Sequence, residues 1–248
     1  MNNSKLPKRL TKEPIIDAIF EIRFDSSTPI ASVLPGLFFS ELKDIKGFER
    51  LPQAEIPEKL RKDDPLLQYL PIIKLNWMDY NILIGDRNLA IAANLPYKGW
   101  NNFKEAIKKI LSIVKKSNLI QKIERYSTKY IDIVENDAET TSKAANIIIK
   151  MGPKDMLDSQ FHLKTEYLER EFINVVQIIS NATITLPNGS TKTGLIIDID
   201  TIRIGFDLLS AESQLLEKSL DDIHLVSKET FFNSLTVDGI SNLGPVYE

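Results

Sequence analysis

Apolar and polar residues alternate from Ala18 onward, with Phe20, Ile22 and Phe24 on one side and Ile19, Glu21 and Arg23 on the other. This period of two predicts an opening strand over Pro14–Phe24. Ser32–Leu42 carries Val33, Leu37 and Leu42 at helical spacing and predicts a short helix despite Pro35 and Gly36 near its start. Gly47–Leu70 holds Pro52, Pro57 and Pro65 among many charges and reads as a surface excursion between packed elements. Pro71–Met78, Tyr80–Ile84 and Leu89–Asn94 follow as three strands of a meander, the last two joined by Asp86-Arg87-Asn88. Over Asn101–Ser117, Phe103, Ile107, Ile110, Leu111 and Val114 form an apolar stripe opposite Lys104, Lys108 and Lys115, the signature of an amphipathic helix. Ile120–Val134 alternates again and predicts a closing strand.

The second half repeats these ingredients without a residue-level repeat. Ala145–Lys150, Phe161–Glu166 and Phe172–Leu186 read as strands. Pro187-Asn188-Gly189-Ser190 supplies a turn that pairs Val175–Leu186 with Thr191–Ile204, because Asn-Gly accepts left-handed backbone angles. Ser213–Leu235 changes period, with Leu216, Leu220, Ile223, Ser227, Phe231 and Leu235 three or four residues apart, and predicts a long helix lying across that hairpin. The expected fold is α+β with two lobes, each a mostly antiparallel sheet covered by helices: residues 1–137 as an N-terminal lobe and 138–248 as a C-terminal hairpin sheet with a long C-terminal helix. The boundary falls in the polar, aperiodic stretch Asn136–Thr141.

Composition narrows the chemistry. A chain of 248 residues with 43% apolar and 26% charged content belongs with soluble globular proteins. It has no apolar run that would span a bilayer, and Met1–Lys12 is polar and basic, without a signal-peptide core, so no membrane partner and a cytoplasmic location are expected. With no cysteine, thiolate nucleophiles, disulfides, cysteine-based zinc sites and iron–sulfur clusters are excluded, and two histidines cannot supply a three-histidine metal site. Neither a Gly-x-x-x-x-Gly-Lys loop, nor Gly-x-Gly-x-x-Gly, nor Gly-x-Ser-x-Gly occurs, and no cofactor is expected. Charge is unevenly spread: Asn101–Tyr130 holds eight basic residues against two acidic, whereas Gly194–Glu248 holds ten acidic against three basic. Such polarity suits steering, docking of one part on another, or the solvation of two helices.

Two candidate sites follow. In Leu195–Phe206 the carboxylates of Asp198 and Asp200 share one strand face, and with His224 from the long helix they would suit a divalent ion and phosphodiester chemistry. The simpler reading is a partly solvated strand face and a histidine hydrogen-bonded at the core edge. Lys104, Lys108, Lys115 and Arg125, with Tyr97, Trp100, Tyr126 and Tyr130 nearby in sequence, suit nucleic acid, against the simpler reading of a solvated helix face. The tail Gly244–Glu248 either docks on a neighbour or frays.

Glu13–Phe24, Tyr97–Phe103, Glu124–Ile131, Ile197–Asp200, Asp222-Ile223-His224 and Phe231-Phe232 together resemble a sporadically distributed family of bacterial and archaeal proteins of similar length, one without an established activity. The chain departs from the family pattern at Tyr130-Ile131-Asp132, where a Tyr-Ile-Asn is expected. The resemblance implies a bilobal α+β fold, supplies no catalytic residues, and suggests by association a defence or toxin–antitoxin setting. The favoured expectation is a non-enzymatic binding or inhibitory subunit for a protein partner, encoded nearby, with homo-oligomerisation allowed. The alternatives are a metal-dependent phosphodiesterase or nuclease using Asp198, Asp200 and His224, and a nucleic-acid-binding protein using the Lys-rich helix.

Overall fold

A computed structural model describes residues 6–26, 29–135 and 144–247. The expected boundary at 137/138 lies outside the described residues. In chain order the strands are β1 (Arg9–Leu10), β2 (Ile15–Phe24), β3 (Ile45–Arg50), β4 (Pro71–Trp77), β5 (Tyr80–Gly85), β6 (Asn88–Ala93), β7 (Ile123–Glu135), β8 (Lys150–Met151), β9 (Lys154–Asp155), β10 (His162–Glu169), β11 (Phe172–Thr185), β12 (Thr191–Ile204) and β13 (Pro245–Val246). The helices are α1 (Ile30–Glu41), α2 (Glu58–Asp63), α3 (Trp100–Ser117), α4 (Ser213–Asn233) and α5 (Val237–Asn242). Nine strands are hydrogen-bonded in the order β10-β11-β12-β7-β2-β6-β5-β4-β3, so β10 and β3 are edge strands. The fold is α+β around a large antiparallel sheet. Among the described residues no helix is long and apolar enough to cross a membrane.

The chain forms two compact units, one of Asp17–Thr128 with Ile202–Ile223, the other of Met1–Ile16, Lys129–Thr201 and His224–Glu248. In the first, the strand period sorts residues cleanly. Phe20 faces Ile91, Ile91 faces Ile82 and Ile82 faces Leu75 across successive ladders. All four are buried. The alternate residues make a polar face on which Asn76 donates to Asn81 at 2.8 Å and Asn81 donates to Asn94 at 2.7 Å. Helix α3 lays Ile110 and Leu111 over Phe20, Ile22, Leu89 and Ile91. Its Phe103 stacks on Tyr80 at 5.9 Å. Asn118 closes α3 in the left-handed conformation that a helix end favours.

In the second unit β10 and β11 form a hairpin through Arg170 and Glu171, with Arg170 at φ 57°. The Asn188-Gly189 turn forms as the sequence implies, Gly189 taking φ 83° and its N–H donating to the Leu186 carbonyl. Val176, Ile178, Leu195, Ile197, Ile199 and Val134 pack with Phe231 and Phe232 of α4 into one core cluster. The tail does not fray: β13 pairs with β1, Arg9 opposite Val246.

The expected excursion from Gly47 requires correction. Ile45–Arg50 is a strand, Phe48 opposite Leu75 and Arg50 opposite Ile73, and only from Leu51 onward does the chain leave the ladder. Its partner lies more than twenty residues away, beyond the prolines that make the stretch look irregular.

Candidate functional site

The strand carrying Asp198 shows where the sequence-derived candidates point. Ile197 and Ile199 lie in the core cluster with Phe231 and Phe232, so the alternation turns Asp198 and Asp200 to the opposite face from α4. There Asp198 accepts from Gln177 Nε2 at 3.2 Å and pairs with Lys129 Nζ at 3.0 Å. His224 stands on α4, its Nδ1 3.1 Å from the Tyr130 hydroxyl. The structure keeps Asp198 and Asp200 on one face but does not bring His224 to them. Among the described residues no group of three or more His, Asp or Glu side chains is placed to hold a metal ion.

The helix-covered face of the same unit hides a polar seam that the sequence did not announce. Asn174, fully buried, donates to Thr230 Oγ1 at 3.1 Å and accepts from Thr201 Oγ1 at 2.7 Å. Ser227 donates to Thr201 Oγ1 at 2.7 Å. The alternation of β7 places Asp132 between Tyr130 and Val134 on this face, 3% exposed. Burial pushes its carboxyl well above the ordinary range, and the charges of Glu13 and Asp198 add to the effect. Burial raises Glu13 as well, against the opposing hydrogen bond from the Ile15 backbone. The only sequence signal was one acidic residue at an inward position of a strand.

In the other unit, Lys104 and Lys108 of α3 are held by acidic partners, while Lys109, Lys115 and Lys116 are exposed. Lys104 Nζ reaches both carboxylate oxygens of Asp221 at 2.9 Å, and the Trp100 indole donates to Asp221 Oδ1 at 2.7 Å. Lys108 Nζ pairs with Glu217 at 2.5 Å and Lys115 donates to the Ala211 carbonyl at 3.3 Å. The basic and acidic runs of the sequence thus meet as α3 and the first half of α4. Arg125 belongs to β7 rather than to that helix pair and is part-buried.

One concave feature of that unit was not anticipated. The helices over the sheet stop short of β3, so Phe48 and Arg50 point to the covered face without being covered. Leu75, opposite Phe48, is fully buried, whereas Phe48 is 55% exposed. The result is a groove of about 630 Å³ between Ala31, Ser32 and Pro35 of α1 and Phe48 and Arg50 of β3, floored by Ile72 and Ile73. Arg61 closes one end, its Nε 3.0 Å and Nη2 2.9 Å from Asp86 Oδ2, with a further bond to the Ile56 carbonyl. The three donated bonds fix the guanidinium in the wall rather than leaving a free charge. Pro35 has no N–H to give to the Ala31 carbonyl one turn earlier, and both residues line the groove. The lining is mixed: Phe48, Pro35, Ile72 and Ile73 give apolar surface and Arg50, Glu55, Glu58, Arg61 and Asp86 charge, in a volume that suits a bound side chain.

No family model matches the chain, and no curated protein matches it.

Proposed function

We propose that the protein is a non-catalytic binding subunit whose working surface is the groove between α1 and β3, and that its ligand is an apolar segment of a partner protein. The observation that carries this reading is Phe48, a large apolar side chain left more than half exposed on the core-facing side of an edge strand, above a groove of about 630 Å³. An apolar side chain entering there covers Phe48 and removes Ile73 from water.

Catalysis is disfavoured by the same geometry that keeps Asp198 on Lys129 and Gln177 and turns His224 to Tyr130. Nucleic-acid binding is disfavoured because Lys104 and Lys108 are held by acidic residues of α4. A defence or toxin–antitoxin setting for such a subunit rests on the family resemblance alone, and a cytoplasmic location on the lack of an apolar span or signal core in the sequence. The test is a photo-crosslinking residue at Phe48 in cells expressing the native gene neighbourhood. One discrete cross-linked protein, lost when Ser32→Arg fills the groove, is the expected result; recovery of only uncross-linked chain would reject the reading.

A further inference from the structure

The two edges of the nine-stranded sheet are built differently. Strand β3 is six residues long, and its register slips at Ile45 and Gly47. Bulges, prolines and short length are the usual means of stopping an edge from pairing with another chain. Strand β10 has none of these, and its one lysine, Lys164, has Glu166 two residues further on the same face. It runs for eight residues in unbroken register with β11, from His162 opposite Ile179 to Glu169 opposite Phe172, and contains no proline. Its side chains are exposed along almost the whole length, and Leu168 is 70% exposed.

The residues on this edge are ordered symmetrically about Thr165: Leu163 and Tyr167 flank it at two positions, Lys164 and Glu166 at one. A two-fold axis normal to a sheet pairs a strand with its own copy in antiparallel fashion, and only residues on the same face fall opposite each other. The register is therefore centred on a residue. Centring on Lys164 or on Glu166 sets that residue against its own copy, like charge on like charge, which is destabilising. Centring on Thr165 sets Thr165 against Thr165, Lys164 against Glu166 twice and Leu163 against Tyr167 twice, all of them favourable cross-strand pairs. Neither Lys164 nor Glu166 makes an ion pair among the described residues, so both are available for this purpose. Leu163 and Tyr167 face the same side as Ile178 and Asn174, so the apolar pairs extend the covered face of the sheet.

We propose that β10 is a homodimerisation edge, on which a second copy of this chain adds antiparallel to β10 in the register centred on Thr165, joining two sheets into one. This self-pairing uses no residue of the α1–β3 groove, and it stands whether or not that groove binds a partner.

The test is a charge swap read by sedimentation velocity across a concentration series of the full chain. Wild type is expected to show a reversible dimer. Lys164→Glu alone and Glu166→Lys alone each place like charges opposite one another twice and are expected to weaken the dimer at least tenfold. Mixing the two variants is expected to restore a dimer containing one of each. In that pair one copy is acidic at positions 164 and 166 and the other is basic at both, so every facing pair is again of opposite charge. Because the chain has no cysteine, Thr165→Cys places a thiol on the axis, at the separation of about 4.5–5.5 Å that opposed strand residues have. It is expected to form an intermolecular disulfide under mild oxidation, whereas Glu169→Cys, far from its own copy in this register, is not. A wild-type chain that stays monomeric throughout, or single variants that dimerise as well as wild type, would overturn the proposal. So would a mixture that stays monomeric, or equal cross-linking at the two cysteine positions.

Discussion

Thr201 Oγ1 donates to Asn174 Oδ1 at 2.7 Å, joining two adjacent strands to helix α4 through a chain that continues to Ser227 and Thr230. Every member is buried, so each depends on the others for its hydrogen bonds rather than on water. Asn174→Ala removes the acceptor of one hydroxyl and the donor to another. At roughly 1–3 kcal/mol for each buried polar group left unmatched, a loss of about 2–4 kcal/mol is expected. Ser227→Ala deletes the donor to the Thr201 hydroxyl and is expected to cost about 1 kcal/mol. Urea unfolding at unchanged m-value measures both, and equal losses from the two variants would mean that Asn174 is not the hub.

Two glycines make opposite predictions from the same substitution. A Cβ on Gly194 would stand 2.2 Å from the Val134 carbonyl oxygen and 2.9 Å from Glu135 Cα, both backbone atoms of strand β7. Gly194→Ala must push two strands apart, and overpacking of this kind costs about 1–3 kcal/mol. Gly36 lies inside α1 with nothing within 4 Å of its added Cβ. Gly36→Ala is expected to stabilise by about 0.5–1 kcal/mol, since alanine loses less backbone entropy in a helix. Thermal melts of the two variants should move in opposite directions.

How much the sequence reveals depends on how far apart the interacting residues are. The stripe Phe103, Ile107, Ile110 and the Asn188-Gly189 turn are local patterns, and both are realised where they are expected. The strand holding Phe48 reads in sequence as part of an excursion, because its apolar residues are few and its partner β4 lies beyond three prolines. The groove follows it out of sight, since it exists only where α1 ends short of β3. The lysines of α3 are legible as a face but not as a contact: periodicity shows which residues share a side, not that Asp221 and Glu217 wait opposite. Strand alternation puts Asp198 and Asp200 on one face, as the structure does, while their separation from His224 needs the direction of the strand's pleat.

The α3 contacts separate two readings of its charge. If Lys104 and Lys108 serve Asp221 and Glu217, replacing both by Ala leaves retention on heparin unchanged and lowers the melting temperature slightly, more at low salt than at high. The Phe103→Ala variant is the reference for a core loss on the same helix, expected to cost about 3–5 kcal/mol. A heparin elution that shifts strongly on losing the two lysines would return the helix to nucleic acid.

Asp132 makes the unfolding free energy depend on pH with a definite sign. Its carboxyl is held well above the ordinary value by burial first, and then by the charges of Glu13 and Asp198. At a pH below the unfolded-state pKa both states hold the proton, and the contribution of this group is fully present. As the pH rises, the unfolded chain releases the proton while the folded one keeps it, so stability falls by up to about 1.4 kcal/mol per pH unit until the folded-state pKa is passed. Glu13, raised by burial, acts in the same direction. An amide cannot ionise, so Asp132→Asn should match or fall slightly below wild type near about pH 4 and exceed it increasingly toward neutral pH. Urea midpoints for both proteins across that range check this. Two parallel curves would show that Asp132 ionises as readily in the folded chain as in the unfolded one, despite being 3% exposed.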